Sequence, residues 1–149
     1  ESKDFLQKYF KKELFFTDVE GKTKDEVLKN LCRKVEQEKG LPETFTASVL
    51  KREELTPTDY GNLVALPHPE RAFQERAFVA VAVLKEPIFW FRQKVQVVFL
   101  TAIGREEDEN LQQFYEATTD LILRPADVQN LIRHPDYDRL IQLLRRAEE

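Results

Sequence analysis

Two short apolar runs, 78–84 and 95–103, constrain the fold of this chain more than any other feature. Both are rich in valine and almost unbroken by polar residues. Runs of this kind predict strands buried on both faces, and so a sheet covered by helices on each side. A third apolar run, 63–66, follows a turn-rich segment whose Pro57, Asp59 and Gly61 all break regular structure. Between the two long runs lies Ile88-Phe89-Trp90-Phe91, which reads as core packing or an added edge strand, with a partner-docking patch as the alternative.

Helices are legible from period and caps. Thr23-Lys24-Asp25-Glu26 has the form of a capping box, and Val27, Leu28, Leu31, Cys32 and Val35 follow as one apolar stripe. Gly40 stands where a left-handed residue ends a helix. Cys32, on the stripe, reads as a small buried hydrophobe. A second helix is expected over about 44–54, where the usual pitch brings Arg52 to within about 20° of Phe45. There Arg52 is either a side chain snorkelling toward the negative helix end or an anion clamp. Leu111, Phe114, Tyr115, Thr118, Leu121 and Ile122 form another helical face behind the largely acidic run 105–109, which reads as a solvated first turn or, at Asp108 and Glu109, part of a site rim. Shorter helical patterns open the chain at Phe5, Leu6, Tyr9 and Phe10 and close it from Val128 onward, with His134-Pro135-Asp136 as the entry to the last helix. Leu14-Phe15-Phe16 reads as a first strand. The principal order is strand, helix, helix, strand, strand, strand, helix, helix. It predicts an α/β three-layer domain with a mixed central sheet and helices on both faces.

The run 63–66 ends in Pro67-His68-Pro69. Each proline fixes its own φ and restricts the residue before it, so His68 is restrained from both sides. A side chain on a stiffened loop at the carboxyl end of a buried strand is where α/β folds place reactive groups. His134 reads as a cap or surface residue, and no local spacing makes the two histidines a metal site.

The 149 residues suffice for one core, and no apolar run approaches a membrane span, so no membrane insertion is expected. A net charge of −4 disfavours direct contact with nucleic acid. A single cysteine precludes an internal disulfide and suits a cytoplasmic setting. The sequence lacks methionine, so residues 1–149 are read as a single domain excised from a longer polypeptide.

Gly61-x-x-x-Ala65-x-Pro67-His68, with Arg52-Glu53 upstream, resembles the phosphorylation site of enzyme IIA (EIIA) domains of the bacterial sugar phosphotransferase system, fructose/mannitol type. The likeness also takes in Ser48 to Lys51, the turn from Thr56 to Gly61 and the order of elements after His68. It implies a sheet of about five strands. His68 is then the phosphoryl acceptor, through Nε2, and Arg52 the phosphate clamp beside it. The implied donor is an HPr-like carrier and an enzyme IIB (EIIB) cysteine a possible recipient, with no metal or organic cofactor. Many mannitol-type relatives carry a second histidine where this chain has Asn110, which can donate a hydrogen bond to phosphate but cannot carry a proton charge. That departure, the turn Thr56 to Asn62 and the ending Leu121-Ile122-Leu123-Arg124-Pro125 look more like the carboxyl-terminal EIIA-like domain of BglG-type transcriptional regulators. The expected function is therefore a sugar-responsive regulatory module. A transport component serving EIIB and a docking module that is never phosphorylated are the alternatives.

Overall fold

The computed structural model describes residues 5–146. A five-stranded mixed sheet forms its centre, built from β1 (Phe10–Phe16), β2 (Asp59–Gly61), β3 (Val64–Ala65), β4 (Phe78–Phe89) and β5 (Lys94–Ala102), in the order β1-β4-β5-β3-β2. β4 and β5 pair antiparallel, while β1 joins β4 and β3 joins β5 in parallel. One face carries α2 (Lys24–Lys39) and α3 (Thr44–Leu55) over a core that includes Leu28, Leu31, Phe45, Ala80 and Leu100. The other carries α1 (Leu6–Tyr9), α4 (Leu111–Ile122), α5 (Pro125–Arg133) and α6 (Tyr137–Arg146) over Phe10, Val81, Phe99 and Phe114. Alternate residues of β4 thus face different cores, which is why its sequence shows no polar face. Among the described residues no helix is long and apolar enough to cross a membrane.

The caps anticipated for α2 are present. Thr23 accepts from the Glu26 N–H at 3.2 Å, and Gly40 ends the helix at φ 69°. Cys32 is fully buried, and burial, with the Glu36 charge, pushes its thiol far above the usual range although a hydrogen bond with Thr46 opposes this. The first turn of α3 has no cap of its own; instead the Glu36 carboxylate of α2 accepts from the Thr46 N–H at 2.9 Å and hydroxyl at 2.5 Å.

Three elements differ from expectation. β1 begins at Phe10, four residues early, because Lys11, Lys12 and Glu13 bulge out exposed while Phe10 stays paired with Val79. β4 runs on to Phe89 through the polar residues Lys85 and Glu86, with a bulge between Val83 and Ile88. There the Gln96 amide donates to the Leu84 carbonyl at 2.9 Å, which explains a polar side chain inside a buried strand. α6 begins at Tyr137, since Asp136 caps it by accepting from the Arg139 N–H at 2.8 Å; His134 and Pro135 form the link from α5.

Gly104, just after β5, allows a close crossing of two backbones. A Cβ built there would lie 2.2 Å from the Glu75 carbonyl oxygen and 2.7 Å from the Ala77 nitrogen. Gly104→Ala is expected to cost about 1–3 kcal/mol, as overpacking does, read as a lower urea midpoint with unchanged m-value.

Tyr9 anchors α1 to the approach to α4 by donating to Asp108 at 2.6 Å. Burial alone would raise the Asp108 pKa. The Tyr9 hydroxyl, the Asn110 N–H and the Lys8 ammonium outweigh it and hold the carboxyl below its usual value. A depressed carboxyl contributes stability that is present above the unfolded-state pKa, near 4, and lost as pH falls through the lower folded-state value. Tyr9→Phe is therefore expected to cost about 1–2 kcal/mol at neutral pH. Urea titrations of both proteins should show that difference shrinking as the solution is acidified below the carboxylate range.

Candidate functional site

The histidine loop is set by a strained hairpin. β2 and β3 meet through a two-residue turn in which Asn62 has φ 53° and Leu63 φ 69°, with Gly61 paired to Val64. Two positive φ values suit the twist of a hairpin, but a leucine there costs roughly 1–2 kcal/mol. Tertiary bonds hold it: the Leu63 carbonyl accepts from the N–H groups of Gln96 at 2.8 Å and Val97 at 3.0 Å, and the Asn62 amide donates to the Ile122 carbonyl at 2.5 Å.

Beyond β3 the backbone stays tied to its neighbours. The Leu66 N–H donates to the Thr58 carbonyl at 3.0 Å, and the Pro67 carbonyl accepts from the Thr101 N–H at 3.0 Å. The Glu70 N–H donates to the Ser48 hydroxyl of α3 at 2.7 Å. Pro67 and Pro69 are buried and His68 between them is half-buried. The His68 Nδ1 lies 3.2 Å from the Leu66 carbonyl. A carbonyl only accepts, so Nδ1 carries the proton, and in the neutral ring Nε2 keeps the free lone pair.

His68 lines a groove of about 230 Å³ with Leu66, Thr101, Ile103, Phe114, Tyr115, Thr118 and Thr119. Ile103 and Tyr115 are exposed at its edge. A larger cleft of about 490 Å³, between Lys8, Lys39, Arg76 and Asp108, contains no histidine. Among the described residues no group of three or more histidine, cysteine, aspartate or glutamate side chains could hold a metal ion.

Arg52 sits half-buried in the last turn of α3, one helical turn beyond the Ser48 that anchors the histidine loop. Its Nη1 donates to the Thr56 carbonyl at 2.9 Å, the contact expected of a cation at a helix carboxyl end. It is not a wall of the His68 groove. Asn110 stands outside that groove too, at the entry to α4, where it accepts from Lys8 at 3.0 Å and donates to Gln113 at 2.8 Å. Arg52 thus shares α3 with the Ser48 that anchors the His68 loop, and Asn110 stands at the start of α4, the helix that lines the groove. Sequence reasoning missed Ser48 as an anchor and Thr101 as a backbone donor. Ser48 carried a signal, lying four residues before Arg52 on the same helix face; Thr101 carried none.

The profile of the family "Phosphoenolpyruvate-dependent sugar phosphotransferase system, EIIA 2" matches residues 8–147. The chain is 36% identical over 140 residues to the probable licABCH operon regulator of Bacillus subtilis, covering 94% of this chain and 22% of that protein. It is 27% identical over 120 residues to the transcriptional regulator ManR of the same organism, covering 80% of this chain and 18% of the regulator. It thus spans about a fifth of the length of these relatives. A weaker likeness, 24% over 136 residues, covers 89% of this chain and 16% of the multiphosphoryl transfer protein 1 of Escherichia coli. In fold, the chain superposes on the nitrogen regulatory protein IIA-Ntr of Neisseria meningitidis with a TM-score of 0.76 at 19% identity, covering 95% and 99% of the two chains. For the IIA mannitol domain of Escherichia coli the TM-score is 0.71 at 18% identity, covering 88% and 96%. By the extent of the profile match, this chain belongs to the EIIA 2 family of the phosphoenolpyruvate-dependent sugar phosphotransferase system.

Proposed function

We propose that His68 accepts a phosphoryl group from a phosphohistidine on an HPr-like carrier, and that in this chain the modification serves regulation. The observation that carries the proposal is the Nδ1 contact to the Leu66 carbonyl, which leaves Nε2 nucleophilic on a ring that lines the groove. In the step, the Nε2 lone pair forms a new N–P bond as the donor's N–P bond breaks and the donor imidazole departs neutral. Little covalent work falls to the protein, so placement and charge stabilisation dominate. Arg52 supplies the charge, its planar fork matching two phosphate oxygens. Asn110 is a secondary donor: one of its two amide N–H groups is held by Gln113, and the other could reach a phosphate oxygen.

Two observations support the regulatory reading. The two regulators above are the relatives with the higher identities, and an asparagine replaces the second histidine of mannitol-type domains. The likeness to a multiphosphoryl transfer protein favours a second reading, a transport component that passes phosphate on to an EIIB cysteine. Residues 1–149 are proposed to act as one phosphorylatable domain of a longer cytoplasmic regulator, with no nucleic-acid contact of their own.

Incubation with a phosphorylated HPr-like carrier should label the wild-type domain at one site. His68→Ala should abolish the label, and Arg52→Ala should slow labelling by roughly 10²–10³-fold, as loss of a preorganised donor does. Label that stays on the domain when EIIB proteins are added marks a regulatory end point; rapid transfer to EIIB marks a transport component. Partner binding by His68→Ala with no labelling of wild type would leave only a docking module.

A further inference from the structure

One buried ionisable side chain has no part in the chemistry just described. Glu53, in the last turn of α3, is 2% exposed. Its carboxylate accepts from the Thr58 N–H at 2.7 Å, the Thr58 hydroxyl at 2.8 Å and the Trp90 indole N–H at 2.9 Å. A buried carboxylate needs such donors to offset its lost hydration. These donors come from segments that also hold the site. The Thr56 carbonyl, two residues before Thr58, receives the Arg52 Nη1 N–H. The Thr58 carbonyl receives the Leu66 N–H, and the Leu66 carbonyl faces His68 Nδ1. Trp90 is the buried root of the β4–β5 turn, and the Asp59 carboxylate accepts from the Arg92 N–H at 2.9 Å, tying the same turn to β2. Arg52 and His68 therefore both lean on the 56–58 turn that this carboxylate holds, Arg52 through the Thr56 carbonyl and His68 through Leu66 and the Thr58 carbonyl.

We infer that Glu53 is a positioning residue for phosphoryl transfer: it holds the 56–58 turn and the β4–β5 turn against α3, so that the Arg52 guanidinium and the His68 ring keep their mutual placement. Glu53 touches neither the phosphate nor the donor. The inference rests on the reading of His68 as phosphoryl acceptor. It differs from a purely stabilising role in what it alters. A stabilising carboxylate sets how many molecules are folded, whereas a positioning one sets how fast each folded molecule reacts.

Trp90→Phe keeps most of the ring and removes the indole N–H. Thr58→Val removes the hydroxyl, and Thr58→Ser restores it. Each variant is mixed with excess phosphorylated HPr-like carrier, and the single-turnover rate, the half-saturating carrier concentration and the final label per folded chain are measured. Trp90→Phe and Thr58→Val should each lower the saturated rate by about 5–10-fold, as small misplacements do, with carrier affinity and final label unchanged. Thr58→Ser should return the rate to that of wild type. Should Trp90→Phe fail to fold, the Thr58 pair decides alone. Variant rates equal to wild type overturn the inference, as does a lower final label at an unchanged rate. An unlabelled wild type defeats the reading of His68 itself and takes the inference with it, before any variant is compared.

Discussion

The backbone of β5 is the constraint on which the site depends. It satisfies β4 on one side and β3 on the other, and a buried strand that left either set of peptide groups unpaired would lose about 1–3 kcal/mol for each. Its ladder does not stop with β3. The Thr101 N–H goes on to the Pro67 carbonyl, so the proline before the histidine is held as if it were one more residue of the sheet. His68 thereby gains the placement of a strand residue while keeping the exposure of a loop residue.

Layering decides what can approach the ring. α4 lies on one face of the sheet and contributes Phe114, Tyr115, Thr118 and Thr119 to the groove. α3 lies on the other face and contributes the Ser48 anchor and Arg52. The histidine loop therefore has its apolar wall on one helical layer and the α3 anchor, with the guanidinium, on the other.

Much of this was legible from residues alone. The valine runs gave the two-faced sheet because burial on both sides leaves no polar alternation to confuse the pattern. The caps of α2 were readable because they depend on Thr23, Glu26 and Gly40, all local. What escaped was set by distant partners. β2 was hidden inside a turn signal, since Asp59 and Gly61 are turn residues that become a strand only when β3 pairs with them. The Ile88-Phe89-Trp90-Phe91 cluster splits in a way no spacing reveals: Trp90 is buried, drawn in by a carboxylate 37 positions away, while Phe89 and Phe91 remain exposed. At the site, the restraint of His68 by its two prolines could be read, but the carbonyl that selects its tautomer could not. Asn110 was matched to a second histidine by likeness alone, and its contact with Lys8, across 102 positions, could not be read from the sequence.

The lone thiol on α2 sits at zero exposure beneath the face that carries Arg52, remote from the groove on the opposite side of the sheet. Alkylating reagents can reach it only when that helical layer lifts away, and its raised pKa keeps it unreactive until then. The molecule therefore contains its own clock for the opening of one layer, read by a single chemical modification.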